Sequence, residues 1–201
     1  MSMHCVLWNC LDKDGQDACR ITGDAAGWTI EGTAVFRERA QVASLGYRLH
    51  CDPHWVSARA TVKGWVGARS IDLHIASEAG GRWSINGRVD QALTGLLDID
   101  LGFTPASNTN ALQRLNLQDG ATASSVAVWL DTEDWHVKAL HQTYTRVHRN
   151  AYDYASPRHG LRATLAVDDS GVVTVYPGLW KALVSAPMPA DGACFQRSAC
   201  P

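Results

Sequence analysis

From Leu45 to Val175 the chain alternates apolar and polar residues, a period of two that fits strands with one face packed and one face wet. Leu45, Tyr47, Leu49 and Cys51 alternate with Gly46, Arg48 and His50, and Val56, Ala58, Ala60 and Val62 with Ser57, Arg59, Thr61 and Lys63. Ile71, Leu73 and Ile75 follow, then Glu78-Ala79-Gly80-Gly81, which has the composition of a hairpin loop, then Trp83 and Ile85. Leu97, Ile99, Leu101 and Phe103 oppose Asp98 and Asp100, and Val126, Val128 and Leu130 keep the same period. Residues 136–148 are a long alternating run. Leu161, Ala163, Leu165 and Val167 lead into the turn signal Asp168-Asp169-Ser170-Gly171, followed by Val173 and Val175. About a dozen short strands predict an all-β fold, a long antiparallel sheet rolled on itself or a sandwich. One or two short helices are expected: one N-capped by Asn108 or Thr109 and carrying Leu112 and Leu115, the other over Leu179–Leu183. The stretch 185–201, rich in Pro, Ala and Gly, is expected to be a poorly ordered tail of a single domain spanning 1–201.

Bulk properties narrow the function. The formal charge of −2 and the scattered basic residues give no footprint for nucleic acid. No stretch approaches the ~18 apolar residues of a membrane helix. The opening MSMHCVLWNCLDKD lacks the basic and apolar regions of a secretion signal, so a cytoplasmic location is expected. There the six cysteines (Cys5, Cys10, Cys19, Cys51, Cys194 and Cys200) stay reduced, and none forms a C-x-x-C pair. Neither zinc nor any other cofactor is expected.

Three constellations could carry chemistry. His50, Cys51, Asp52 and His54 are metal-ligand types, but Pro53 breaks the helix that would align the histidines, and a strand sends His50 and Cys51 to opposite faces. Asp98 and Asp100 share one strand face. Such a pair serves acid–base or cation chemistry, or else anchors the loop Gly102–Thr109 with Arg114 as partner. Gln142, Tyr144 and Arg146 share a face of the run 136–148, with Tyr152 and Tyr154 just downstream and Tyr176 later. Aromatic bodies with polar tips suit sugars and lipid head groups, and equally a half-buried sheet face. The nucleotide, zinc-protease and serine-elbow motifs are absent.

The segment LDIDLGFTPASNTNALQRLNL resembles an element of a family of bacterial glycolipid-binding proteins, through Asp98, Asp100, Leu101, Thr104, Pro105, Asn108, Thr109, Arg114 and Leu115. Gln113 stands where that family's pattern has an arginine, and Asn110-Ala111 where it has Leu-Pro. Tyr47, Leu49, Asp52 and Trp55, then Gln142, Tyr144 and Arg146, then Tyr152-Asp153-Tyr154, Val167-Asp168, Gly171 and Tyr176-Pro177 are similar to further elements in order, across about residues 28–183. The resemblance implies a rolled sheet and binding of a lipid or glycolipid. On that reading Gln142, Tyr144 and Arg146 hold a polar head, Trp55 and Tyr152 wall the site with Tyr154 and Tyr176 nearby, and Asp98, Asp100, Thr104, Asn108 and Arg114 form a structural cluster. The competing readings are a hydrolase acting on a carbohydrate or lipid ester through Asp98 or Asp100, and a protein-interaction domain.

Overall fold

The computed structural model describes residues 2–188. Fifteen strands form one sheet. The chain starts at the middle of the sheet and steps outward through β1 (Ser2–Cys10), β2 (Gly15–Asp24), β3 (Gly27–Glu38), β4 (Gln41–Cys51) and β5 (Ser57–Val66). It reaches one edge by β6 (Arg69–Glu78), β7 (Arg82–Ile85) and β8 (Arg88–Asp90). It then crosses to the opposite edge, β9 (Asp98–Leu101), and returns through β10 (Thr122–Asp131), β11 (His136–His148), β12 (Ala151–Ser156), β13 (Leu161–Val167) and β14 (Val173–Tyr176). The last strand, β15 (Trp180–Met188), pairs with β1 and joins the two halves.

Every neighbouring pair is antiparallel except β9 and β10. Parallel strands need a crossover connection, and here it holds the helix α1 (Asn108–Leu115). A single 3-10 turn, Pro105–Ser107, leads into it. The helix is not an outer layer: Asn108, Thr109, Asn110, Ala111 and Leu112 are all buried. The sheet curls around this plug until β9 approaches β5, where Ser57 donates its backbone N–H to Leu97 O (2.9 Å) and its Oγ accepts from Ile99 N (3.0 Å). Ile30, Leu45, Leu49 and Ile75 from one half meet Ile99, Leu101, Leu130 and Leu165 from the other, with Phe103, Ala106 and Leu112 of the crossover between them. Each fully buried aliphatic side chain contributes ~1.5–3 kcal/mol, so the roll is held mainly by what it encloses.

The rolled all-β reading holds, with several corrections. Strands β1 to β3 precede the alternating region, because their inward positions include His4, Asp17 and Gly32 while Val35 faces out and is exposed, which scrambles the apolar period. The helix expected over Leu179–Leu183 is absent: Leu179 closes a turn on Tyr176 O after Gly178 at φ +76°, and Trp180 begins β15. The unpaired edge that β1 would otherwise present is satisfied by this strand. Ser185–Met188, placed in the tail by composition, extend β15, and residues 189–201 of that tail lie outside the described residues. Asn108 and Thr109 lie inside α1 and do not cap it; the capping side chain is Thr104, whose Oγ1 accepts from Ala106 N (3.0 Å) at the head of the 3-10 turn.

Cys5, Cys10, Cys19 and Cys51 are free thiols, and Cys194 and Cys200 lie outside the described residues. Among the described residues no cluster of His, Cys, Asp or Glu is arranged to hold a metal ion. No helix of the described residues is long and apolar enough to cross a membrane.

Candidate functional site

The enclosed face of the roll carries two groups of polar side chains. In the first, Asp98 and Asp100, alternate residues of β9, have separate partners. Asp98, 1% exposed, receives Arg114 through two bonds, Nε to Oδ1 at 2.7 Å and Nη2 to Oδ2 at 2.6 Å, and also Ser125 Oγ. Asp100 takes neither nitrogen of Arg114. Its Oδ2 accepts from Gln142 Nε2 (2.7 Å) and its Oδ1 from Ser107 Oγ (3.4 Å). Gln142 also donates to Tyr154 OH (3.1 Å), and Asn108 Nδ2 to Tyr144 OH (3.2 Å). The rings of Tyr144, Tyr154 and Tyr176 pack in series, with centroids 5.1 and 5.8 Å apart. Burial pushes the Asp100 carboxyl up to about 6 against the opposing pull of Gln142 and Ser107. Asp100, Tyr154 and Tyr176 line a cavity of 130 Å³, which leaves Asp100 in partial contact with open space.

The residues read as one binding face thus fall in three places. Gln142, Tyr144, Tyr154 and Tyr176 come together beneath α1, joined by one hydrogen bond and by ring packing and tied to Asp100 and Asn108. Arg146 and Tyr152 lie at the strand end, where the guanidinium sits 5.7 Å from the Tyr152 ring centroid, donates to Leu117 O (2.7 Å) and pairs with Asp119. Trp55 is in neither place.

Trp55 belongs to the second group, at the end of the roll formed by the starts of β1 and β3 and the β4–β5 loop. Its indole stacks on Trp28, with centroids 4.2 Å apart and planes 17° apart. Two local features hold this pair. Gly23 lies opposite Trp28 in the register of β2 and β3, and a Cβ at Gly23 would come within 2.5 Å of the Trp28 ring. In the β4–β5 loop, Asp52 Oδ1 accepts from His54 N (2.8 Å) and Val56 N (2.9 Å), forcing Trp55 into the left-handed region at φ +64°. A bulky residue rarely adopts that conformation, which costs on the order of 1–3 kcal/mol and concentrates at functional sites.

The stacked indoles form one wall of a half-enclosed pocket of 340 Å³, also lined by His4, Thr109, Gln113 and Ser170. That volume lies at the lower end of the ~300–1,000 Å³ of small-molecule sites. The opposite side is α1, tied to the β13–β14 turn by Gln113 Nε2 donating to Ser170 O (2.7 Å). Asp168 shapes that turn by accepting from Ser170 N and Val172 N. Two buried polar atoms in the lining lack a hydrogen-bond partner, Thr109 Oγ1 and His4 Nδ1. His4 is fixed through its other nitrogen, with Nε2 2.8 Å from Ser185 Oγ and 3.2 Å from Asp168 Oδ2. A buried polar atom without a partner costs ~1–3 kcal/mol, and two of them, a hydroxyl and a ring nitrogen, belong to residues beside the aromatic wall.

Sequence reasoning reached Trp55 but not Trp28 or His4. The signal for Trp28 is the glycine facing it across a strand pair, which is visible only once the register is known.

Fold and pocket together define a class: a rolled sheet plugged by its own crossover helix, with an aromatic pocket at one end. The chain belongs to the family described as "Putative glycolipid-binding", whose model matches residues 5–182. Its fold is shared with the crystal structure of a DUF1089 family protein from Pseudomonas aeruginosa, at 27% identity over 82% of this chain and 90% of that one, with a TM-score of 0.73. A beta-barrel-like protein of the domain of unknown function DUF1849 from Brucella abortus is similar in fold alone, at 12% identity, 93% and 98% coverage and a TM-score of 0.54. No curated protein matches the chain.

Proposed function

We propose that this protein binds the sugar head of a glycolipid, without chemical turnover, in the pocket walled by Trp28 and Trp55. The observation that carries the reading is the pairing of that stacked wall with the partnerless Thr109 Oγ1 and His4 Nδ1. A pyranose offers an apolar C–H face for an indole and hydroxyls at its rim, each able to donate one hydrogen bond and to accept others. Neutral polar side chains outnumber the one carboxylate, Asp169, in the lining, and this suits an uncharged head group. The family description supports the same ligand class. Against a hydrolase, both oxygens of Asp98 are already engaged by Arg114. Asp100 faces a cavity of only 130 Å³, below the size of a typical substrate site.

The test is native mass spectrometry of freshly purified protein, compared with Trp55→Gly. Glycine accepts φ +64° without strain, so the variant removes the wall and spares the loop. Expected is a glycolipid adduct on the wild type that is lost in the variant. Equal retention by both proteins would reject the pocket.

A further inference from the structure

We propose a second and separate site on the outer face of β1 to β5, a groove for the alkyl chain of a single-chain anionic amphiphile. The register defines it. Val184 pairs with Leu7, Leu7 with Ala18, Ala18 with Thr33, Thr33 with Gly46 and Gly46 with Lys63, a straight row across six strands. The middle of this row has almost no side chain, since Ala18, Thr33 and Gly46 are small. The rows on either side are taller. One runs Cys5, Arg20, Glu31, Arg48, Thr61, and the other Gln16, Val35, Ser44, Trp65. The central row and the Cys5–Thr61 row line an open, apolar-floored trough of 910 Å³, outside which the second row stands. At ~4.8 Å between strands the row is ~24 Å long. An alkyl chain that crosses half of a bilayer's ~30 Å core fits within it.

The two ends differ in chemistry. At one end Val184, 57% exposed, lies beside Leu7. The other end is Lys63, and the guanidiniums of Arg20 and Arg48 stand along one side of the row between the two ends. Glu31 receives both Arg20 Nε (3.0 Å) and Arg48 Nε (2.8 Å), so two guanidiniums share one carboxylate and the cluster stays positive. Lys63 adds a further charge; its Nζ is 3.6 Å from Asp72, and both side chains are more than 60% exposed, a weak pairing that an incoming anion displaces. These cations stand on a chain whose net charge is −2, so they are a local feature and not a general one. An apolar track flanked by surplus positive charge and ending at Lys63 is complementary to a hydrocarbon chain ending in a carboxylate or phosphate.

The trough can be filled without disturbing the sheet. A Cβ added to Gly46 would meet only Lys63 O, at 3.8 Å. Isothermal titration with laurate and with dodecyltrimethylammonium, both below their micellar concentrations, tests the site on wild type, Gly46→Leu, Lys63→Glu and Trp55→Gly. Expected is one laurate per wild-type chain, with unaltered binding in Trp55→Gly, which keeps this site distinct from the end pocket. Gly46→Leu should bind laurate roughly tenfold or more weakly with an unchanged melting temperature, because its side chain holds two or more methylenes off the floor. Lys63→Glu should weaken laurate and strengthen the cationic amphiphile. Absence of laurate binding to wild type, equal affinity in Gly46→Leu, or indifference to head-group charge would each overturn the proposal.

Discussion

Arg114 grips Asp98 in a two-pronged bond, Nε to Oδ1 at 2.7 Å and Nη2 to Oδ2 at 2.6 Å, across the gap between the crossover helix and the parallel edge strand. The pair locks the plug to the wall that encloses it. Asp98 is 1% exposed and the Arg114 side chain 16%, so solvent screening is small. Removing one partner strands the other, at a cost on the order of 3–5 kcal/mol. Asp98→Asn and Arg114→Ala should each lower the melting temperature strongly, and the double variant should cost less than their sum. Chemical denaturation of the three proteins measures this; additive losses would show that the two side chains act independently.

Two carboxyls make stability fall as pH rises. Burial pushes Asp17 up to about 6 against its bonds from Thr104 and Tyr47, and pushes Asp100 up to about 6 as well. An unfolded aspartate titrates near ~3.9, so between about pH 4 and 6 the native state holds protons that the unfolded chain has released. Stability is therefore greatest below this window and declines through it. For fully buried Asp17 the loss is roughly 3 kcal/mol. His50, lowered chiefly by burial, acts in the opposite direction over a neighbouring range, so the variants isolate the effect. Asp17→Asn and Asp100→Asn should each flatten the decline in denaturation midpoint from pH 4.5 to 7, both values being chosen to bracket about pH 6. An unchanged slope would refute the assignment.

Thr109 carries a stability cost that the proposed ligand would relieve. Its Oγ1 is buried without a partner in the end pocket. Thr109→Val keeps the shape and removes the hydroxyl, so it should stabilise the free protein by about 1 kcal/mol or more while weakening glycolipid retention. Thermal melting and native mass spectrometry read the two effects. A destabilised variant would mean that the hydroxyl has a structural partner.

Gly23 sets the seat of Trp28. Its added Cβ would lie 2.5 to 2.8 Å from three ring atoms of the indole. Gly23→Ala should push Trp28 off Trp55, at an overpacking cost of ~1–3 kcal/mol. The circular-dichroism exciton couplet of the stacked indoles should collapse in this variant; a retained couplet would show that the ring adapts.

The strands from Leu45 onward were legible because each buries one face and wets the other. Residues 2–38 were not, because the inward faces of β1 and β2 include His4 and Asp17, whose bonds to Ser185, Tyr47 and Thr104 come from far along the chain. The same holds for the site. Spacing placed Gln142 and Tyr144 on one face but could not say that α1 would lie over them and turn that face into an interior. Leu179–Leu183 carries local helical character, and pairing with β1 overrides it. Trp55 stood out by motif alone, while its partner Trp28 depends on a register set by β2 and β3.

The indole N–H resonances offer the most direct measurement of binding at the end pocket. The chain has eight tryptophans, so each ring is an independent reporter. In a titration with an alkyl glucoside below its micellar concentration, the Trp28 and Trp55 signals are expected to shift together and saturably, while Trp8, Trp83 and Trp129 stay fixed. Shifts confined to other tryptophans, or none at all, would contradict a sugar site between Trp28, Trp55 and Thr109.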